Sequence, residues 1–179
     1  MTTDKKERWL TYMAITTVLV AVAATLSTFK GGGFSTKSLL NQTKASDQWA
    51  FFQSKSIKGY LFETRIENLE LQVAQLEKEK GNETIIKRYT DKIEEYRKNV
   101  KKYEEEKETI TKTATSFESL RDESKKHSEK FGIAVIYLQI SILLSSIATL
   151  SKKRFVWICG LVLGVIGIFY FIDGFFLFV

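Results

Sequence analysis

The chain is 179 residues long, 44% hydrophobic and 27% charged, with a formal net charge of +6. It has no proline and only ten glycines, which excludes a turn-rich all-β fold and a proline-rich disordered chain, since nothing removes a helix donor or clashes with a preceding turn. One cysteine (Cys159) and one histidine (His127) exclude a disulfide framework, a thiolate zinc cluster and any multi-histidine metal centre.

Residues 1–8 read as a tail. Residues 9–29 follow without a single charge. A helix needs about 20 apolar residues to cross roughly 30 Å of hydrocarbon, so this segment is predicted to span a membrane. It exceeds the roughly 7–15 residues of a secretory signal core and is expected to be an uncleaved anchor. Ala14, Thr17, Ala21, Ala24 and Thr28 share one face, suited to close helix packing. Residues 30–37 contain Gly31-Gly32-Gly33 and are expected to form a hinge.

From Ser38 onward the pattern becomes helical. Gln42, Ser46, Trp49, Gln53, Ser56 and Tyr60 recur at 4,3,4,3,4 spacing. Such a polar seam with a tryptophan either sets register, since a polar seam residue excludes wrong pairings at some cost in stability, or binds a ligand. The stretch from Asn41 to Lys58, NQTKASDQWAFFQSKSIK, resembles the signature of an uncharacterised family of bacterial membrane proteins, a domain of unknown function. The resemblance implies an N-terminal span, a coiled-coil middle and a C-terminal pair of spans. It also implies a bacterial membrane protein and carries over no activity; the location expected for the multi-pass chain is the bacterial inner membrane.

Residues 38–130 are predicted to be an antiparallel coiled-coil hairpin. The first arm carries Phe62, Ile66, Leu69, Val73 and Leu76 at heptad spacing and is expected to run to Lys80. Gly81-Asn82 is the predicted turn, and Glu83 suits a first helical turn. In the second arm Ile86, Tyr89, Ile93, Tyr96, Val100, Tyr103, Lys107, Ile110, Ala114 and Phe117 follow the same spacing without a slip. A three-residue step to Leu120 then shifts the phase, which continues through Ser124, His127 and Phe131. The second arm is therefore expected to be one helix with the second span, residues 131–150.

That span is the more polar one: Gln139, Ser141, Ser145, Ser146 and Thr149 either line a water-filled path or hydrogen-bond within the bundle. After the loop at 151–154, residues 155–178 form the third predicted span. Its Gly160, Gly164 and Gly167 lie on one stripe with Trp157, Phe171 and Gly174, a helix-packing pattern. Asp173 is the one acid in this span. Membrane carboxylates are functional by default, yet its predicted place near the interface would let it reach water.

Lys5, Lys6, Arg8, Lys152, Lys153 and Arg154 lie on one side and favour the cytoplasm by the positive-inside rule. Lys30, Lys37, Lys125, Lys126 and Lys130 oppose that assignment, which leaves the side of the hairpin open. Lys87, Arg88, Lys92, Arg97, Lys98, Lys101 and Lys102 are candidate phosphate contacts for a polyanionic or nucleotide ligand. Interleaved glutamates favour instead a solvated face of i,i+4 pairs.

No phosphate-binding glycine loop, nucleophile elbow or metal-ligand set occurs, so no enzyme, cofactor or metal is expected. The fold class read from sequence is an all-α membrane protein of three spans plus a coiled-coil hairpin. Two functions follow from it. One is a homo-oligomeric channel or pore-forming effector gated at the hairpin by a ligand or partner protein, which by analogy of plan places it in phage defence. The other is a membrane-anchored coiled-coil scaffold or spacer without transport.

Overall fold

The computed structural model describes residues 2–78 and 81–178, with side chains from Trp9 onward. The described residues form three helices: α1 (Thr2–Leu76), α2 (Glu83–Ser151) and α3 (Arg154–Phe176). No strand occurs among the described residues. The chain divides into two compact units, one of Met1–Leu40 with Leu120–Val179 and one of Asn41–Ser119.

The hairpin unit is built as its heptads dictate. Ile93, Ile110 and Ala114 of α2 are buried, and the aromatic rings of the seam meet across the two arms. Phe62 packs between Tyr96 and Tyr103, with ring centroids at 5.1 and 6.0 Å. The first arm ends at Leu76, short of the expected end at Lys80, a residue outside those described. Gly81 takes a φ of +102°, the left-handed region that a residue without Cβ enters at no steric cost. Asn82 then starts α2: its carbonyl accepts from the Ile85 and Ile86 N–H groups, and its Nδ2 donates to the Leu76 carbonyl at 3.4 Å.

The other unit is a three-helix bundle. One apolar cluster joins Val20 and Ala24 of α1 to Ala134 and Leu138 of α2, with Tyr170 and Phe171 of α3 against it. A second joins Trp9, Met13 and Ala148, with Val156 and Trp157 packed on them. Of the small-residue face expected on the first span, Ala24 is buried but Ala14 and Thr28 are exposed. Met13, Val20 and Ser27 take the inward positions instead.

The expected hinge is absent. α1 is helical through residues 30–37, because one of the three glycines serves packing rather than bending. A Cβ on Gly31 would stand 3.0 Å from the Phe131 Cβ, and the Ser128 hydroxyl donates to the Gly31 carbonyl at 3.0 Å. A glycine that lets α2 approach this closely is held in the helix by the contact it permits. The predicted phase shift in α2 is also displaced: Leu120 is exposed and Arg121 is the partly buried residue beside it. The Arg121 carbonyl accepts from the Ser38 hydroxyl at 3.1 Å. The loop at 152–153 is shorter than expected, since Ser151 closes α2 and Arg154 opens α3, with Lys152 at a φ of +53°.

Candidate functional site

The densest buried polar chemistry sits at the end of the bundle where α3 finishes. Asp173 is 1% exposed, one of the most enclosed side chains in the protein. Its Oδ2 lies 3.2 Å from the Lys130 ammonium of α2. Its Oδ1 accepts from the Phe178 N–H at 2.6 Å, and its carbonyl accepts from the Leu177 N–H at 2.7 Å. Leu177 is in the left-handed region, so the chain turns back over its own last turn. One residue thereby ends α3 with both its side chain and its carbonyl, meeting the N–H groups beyond a helix end that would otherwise lack partners.

Around this pair His127 Nδ1 lies 2.8 Å from the Gly174 carbonyl, and the His127 ring stacks on Phe34 of α1 at 4.5 Å. Phe131 is fully buried, stacks on Phe34 at 5.9 Å and meets Phe175 edge-on at 5.0 Å. Lys130 lies 5.8 Å from the centre of the Tyr170 ring, and Tyr170 is stacked flat on Tyr137. The arrangement joins all three helices through one carboxylate, one ammonium, one imidazole and an aromatic pack. The expectation that Asp173 reaches water is overturned: an acid in an apolar bundle is stable where a cation and amide donors answer it, and here both do.

The opposite end of the bundle is aromatic. Trp9 and Trp157 meet at 6.3 Å, Arg154 lies 5.5 Å from the centre of the Trp9 ring, and Trp157 Nε1 donates to Thr16 Oγ1 at 3.4 Å. The side chains of Lys5, Lys6 and Arg8 lie outside those described.

The glycine stripe is placed as its spacing predicts. Gly160, Gly164 and Gly167 are buried, and each abuts α2. A Cβ on Gly160 would meet the Ser141 carbonyl at 3.2 Å, one on Gly164 the Ser141 hydroxyl at 2.9 Å, and one on Gly167 the Leu138 side chain at 2.7 Å. The serine row of α2 is consequently split. Ser141 and Ser145 are buried, Ser141 directly under the glycines, while Gln139 and Ser146 face outward. Thr149 donates to the Ser145 carbonyl at 2.9 Å and approaches Met13 Sδ at 3.7 Å. The five residues share no single lining within one chain, because the glycines draw two of them into the helix contact.

The polar seam proposed for the first arm lies one residue out of phase. Gln42, Ser46, Gln53 and Tyr60 are exposed, and Trp49 and Ser56 are half-buried at the flank. The inward row is Asn41, Ala45, Gln48, Phe52, Lys55 and Gly59. The 4,3 spacing read backward from Phe62 reaches these positions, a signal that the polar residues beside them obscure. Trp49 Nε1 donates to Glu118 Oε1 at 2.9 Å, a bridge between the arms. Lys55 sits in the seam itself, with its ammonium 2.6 Å from Glu106 Oε2 and 5.3 Å from the centre of the Tyr103 ring.

Four of the seven basic residues named for the second arm are matched by acids. Lys92 pairs with Glu95, Arg97 with Glu70, Lys98 with Glu94, and Lys102 lies 3.9 Å from Glu106. Lys87, Arg88 and Lys101 are exposed among them. The Glu95 carboxylate beside Lys92 holds that ammonium above its usual range, and Lys112 holds Glu108 below the usual carboxylate range. Mixed charge of this kind offers a polyanion no continuous positive face. No group of three or more His, Cys, Asp and Glu side chains is placed to hold a metal among the described residues.

Fold and site define an all-α protein whose three helices each contain a stretch long and apolar enough to cross a membrane. The chain belongs to the family described as domain of unknown function (DUF4337), whose model matches residues 9–177. No curated protein and no solved structure matches it.

Proposed function

We propose that the chain is a membrane-anchored coiled-coil scaffold. In this reading the three apolar stretches hold it in a bilayer, the bacterial inner membrane, and the hairpin presents an assembly surface to further copies or to partner proteins. The observation that carries it is that many of the small and polar residues of the bundle are taken up by helix contacts or by bonds within their own helix. Ser141 and Ser145 are buried on the glycine side of α2. Thr17, Thr28 and Thr149 bond carbonyls one turn back in their own helices. The Trp9–Trp157–Arg154 end suits an interfacial belt about 27 Å from Asp173, by the helical rise from Phe155.

A channel is the second reading, favoured by one observation. Gln139 and Ser146 stand seven residues apart on the outward side of α2, where a ring of copies would bring them together. Ion flux through vesicles loaded with the purified chain separates the two. A scaffold gives oligomers without flux. A channel gives flux that Gln139→Leu with Ser146→Leu abolishes.

A further inference from the structure

Of the three consecutive glycines of α1, only Gly31 is explained by packing. Gly32 and Gly33 are exposed, and nothing lies within 4 Å of a Cβ added to either. Glycine weakens a helix interior relative to alanine, and neither residue takes the positive φ that would call for it. The space they leave is the floor of a groove of about 600 Å³, walled by Phe29, Lys30, Phe34 and Lys37.

The walls are cationic. Lys30 and Lys37 stand seven residues apart on one side of α1, and no acid occurs between Glu7 and Asp47. At the same end of the bundle Arg121, Lys125 and Lys130 are paired with Asp122, Glu129 and Asp173. Lys30 and Lys37 meet no acid among the described residues, and the Lys30 ammonium lies 5.9 Å from the centre of the Phe175 ring. Helical side chains lean toward the N-terminus, so Lys37 reaches back over the turn of Gly33. The Thr28 and Thr36 hydroxyls donate to the Ala24 and Gly32 carbonyls, at 2.9 and 3.0 Å, which leaves the two ammoniums as the polar donors of the groove.

Its place is equally specific. Lys30 is the first charge after the uncharged run that begins at Trp9, about 30 Å along α1 by the helical rise. That is the thickness of bilayer hydrocarbon, so the groove opens at headgroup level. Val22, Leu26 and Phe29 lead to Gly33 at 4,3,4 spacing on one face of α1, and they are 54%, 48% and 77% exposed. An apolar row therefore runs from the groove toward the Trp9 end.

We propose that this groove binds an anionic phospholipid, with the two ammoniums on its phosphate and one acyl chain along the Val22–Leu26–Phe29 row. Side chains at positions 32 and 33 would fill the space that the headgroup takes. A choline or ethanolamine headgroup brings its own cation to two lysines that lack an acid, so a headgroup of net negative charge is favoured. A free phosphate has the anion but no chain for the row. The site rests on the reading that the apolar stretches lie in a bilayer, and it is independent of whether the chain scaffolds or conducts.

The test uses the full chain, delipidated in detergent, and native mass spectrometry with equal amounts of phosphatidylglycerol and phosphatidylcholine. The chain should retain one phosphatidylglycerol about thirtyfold over phosphatidylcholine, the factor that two lysines supply at an anionic headgroup. Lys30→Gln with Lys37→Gln should bring the two lipids to equal retention. Gly32→Leu with Gly33→Leu keeps both lysines and should lose the retained lipid at unchanged helicity, since the added side chains enter open space. Lys125→Gln with Lys126→Gln, at the same end but outside the groove, should keep the preference. Neither inorganic phosphate nor polyglutamate at equal charge should displace the lipid. Equal retention of both lipids by the unaltered chain, a preference kept in either groove variant, or one lost in the Lys125–Lys126 variant overturns the proposal. Displacement by inorganic phosphate assigns the groove to a soluble anion and displacement by polyglutamate to an acidic partner protein, and either overturns it too. Flotation on pure phosphatidylcholine vesicles reports insertion separately. A chain that does not float fails the membrane reading, whereas one that floats without lipid preference fails the groove alone.

Discussion

The Lys130 ammonium lies 3.2 Å from Oδ2 of Asp173, and the carboxylate is 1% exposed while the lysine side chain keeps 20% of its surface. The pair ties α2 to the last turn of α3, and the same carboxylate holds the Phe178 N–H. Removing one member leaves the other charge without its counter-ion in an apolar bundle, which costs about 3 kcal/mol for a pair still partly wetted on one side. Asp173→Ala and Lys130→Met should each lower the unfolding midpoint of the detergent-solubilised chain. The double variant should recover part of the loss, because two apolar residues pack where one orphaned charge cannot. Additive losses would show that the two groups act separately.

The glycines divide into two classes with opposite expected effects. Nothing lies within 4 Å of a Cβ added to Gly33, so Gly33→Ala should stabilise α1 by about 0.5–1 kcal/mol through helix propensity alone. At Gly167 the added methyl would stand 2.7 Å from the Leu138 side chain and 3.0 Å from its backbone nitrogen. Gly167→Ala should therefore destabilise the bundle by about 1–3 kcal/mol, the usual cost of overpacking. Thermal unfolding of the two variants side by side reads the sign directly. A stabilised Gly167→Ala would mean that α3 does not pack on α2 through this stripe.

His127 tests the same region from a different side. Its ring stacks on Phe34 and its Nδ1 meets the Gly174 carbonyl. His127→Phe keeps the stacking and loses the hydrogen bond, and it should cost about 1 kcal/mol, the net value of one such bond. His127→Ala loses both and should cost more. Equal losses, measured by thermal unfolding, would assign the whole effect to the ring.

The helices were legible because their signals are long. Uncharged stretches, unbroken heptads in α2 and the Gly160–Gly164–Gly167 stripe each accumulate over many turns, so single exceptions do not disturb them. What escaped were positions decided by one contact. Gly31-Gly32-Gly33 looks like a hinge by composition, yet whether a glycine bends or packs depends on Phe131, a hundred residues away. Distance along α3 alone places Asp173 at an interface, since it says nothing of Lys130 opposite it. The first-arm seam lies one residue from its polar row, and the row hides it because Lys55 and Gly59 do not look like seam residues. Lys55 belongs there only through Glu106 and the Tyr103 ring.

That Lys55–Glu106 contact is expected to contribute to the acid response of the hairpin. The hydrogen bond and charge of Lys55 hold the Glu106 carboxyl below its usual range, and Lys112 does the same for Glu108. A depressed carboxylate contributes stability that is fully present above its unfolded pKa and is lost as pH falls through the folded one. The loss should therefore begin near the ordinary glutamate value of about 4.3 and continue below it. Lys92, raised by Glu95, works the other way: its contribution is complete below about 10.4 and fades as pH climbs past that value. Trp49 is the one tryptophan of the hairpin, so Trp9→Phe with Trp157→Phe leaves a single fluorophore there. Its denaturant midpoint should be flat from about pH 6 to 8 and fall below about pH 4. Glu106→Gln should lower the neutral plateau, because Lys55 then keeps its charge in the seam without a counter-ion, and it should also flatten the acid limb. Lys55→Met should flatten that limb without lowering the plateau, since an apolar side chain suits the seam position it inherits. An acid limb equally steep in both variants would place the titrating group elsewhere in the hairpin.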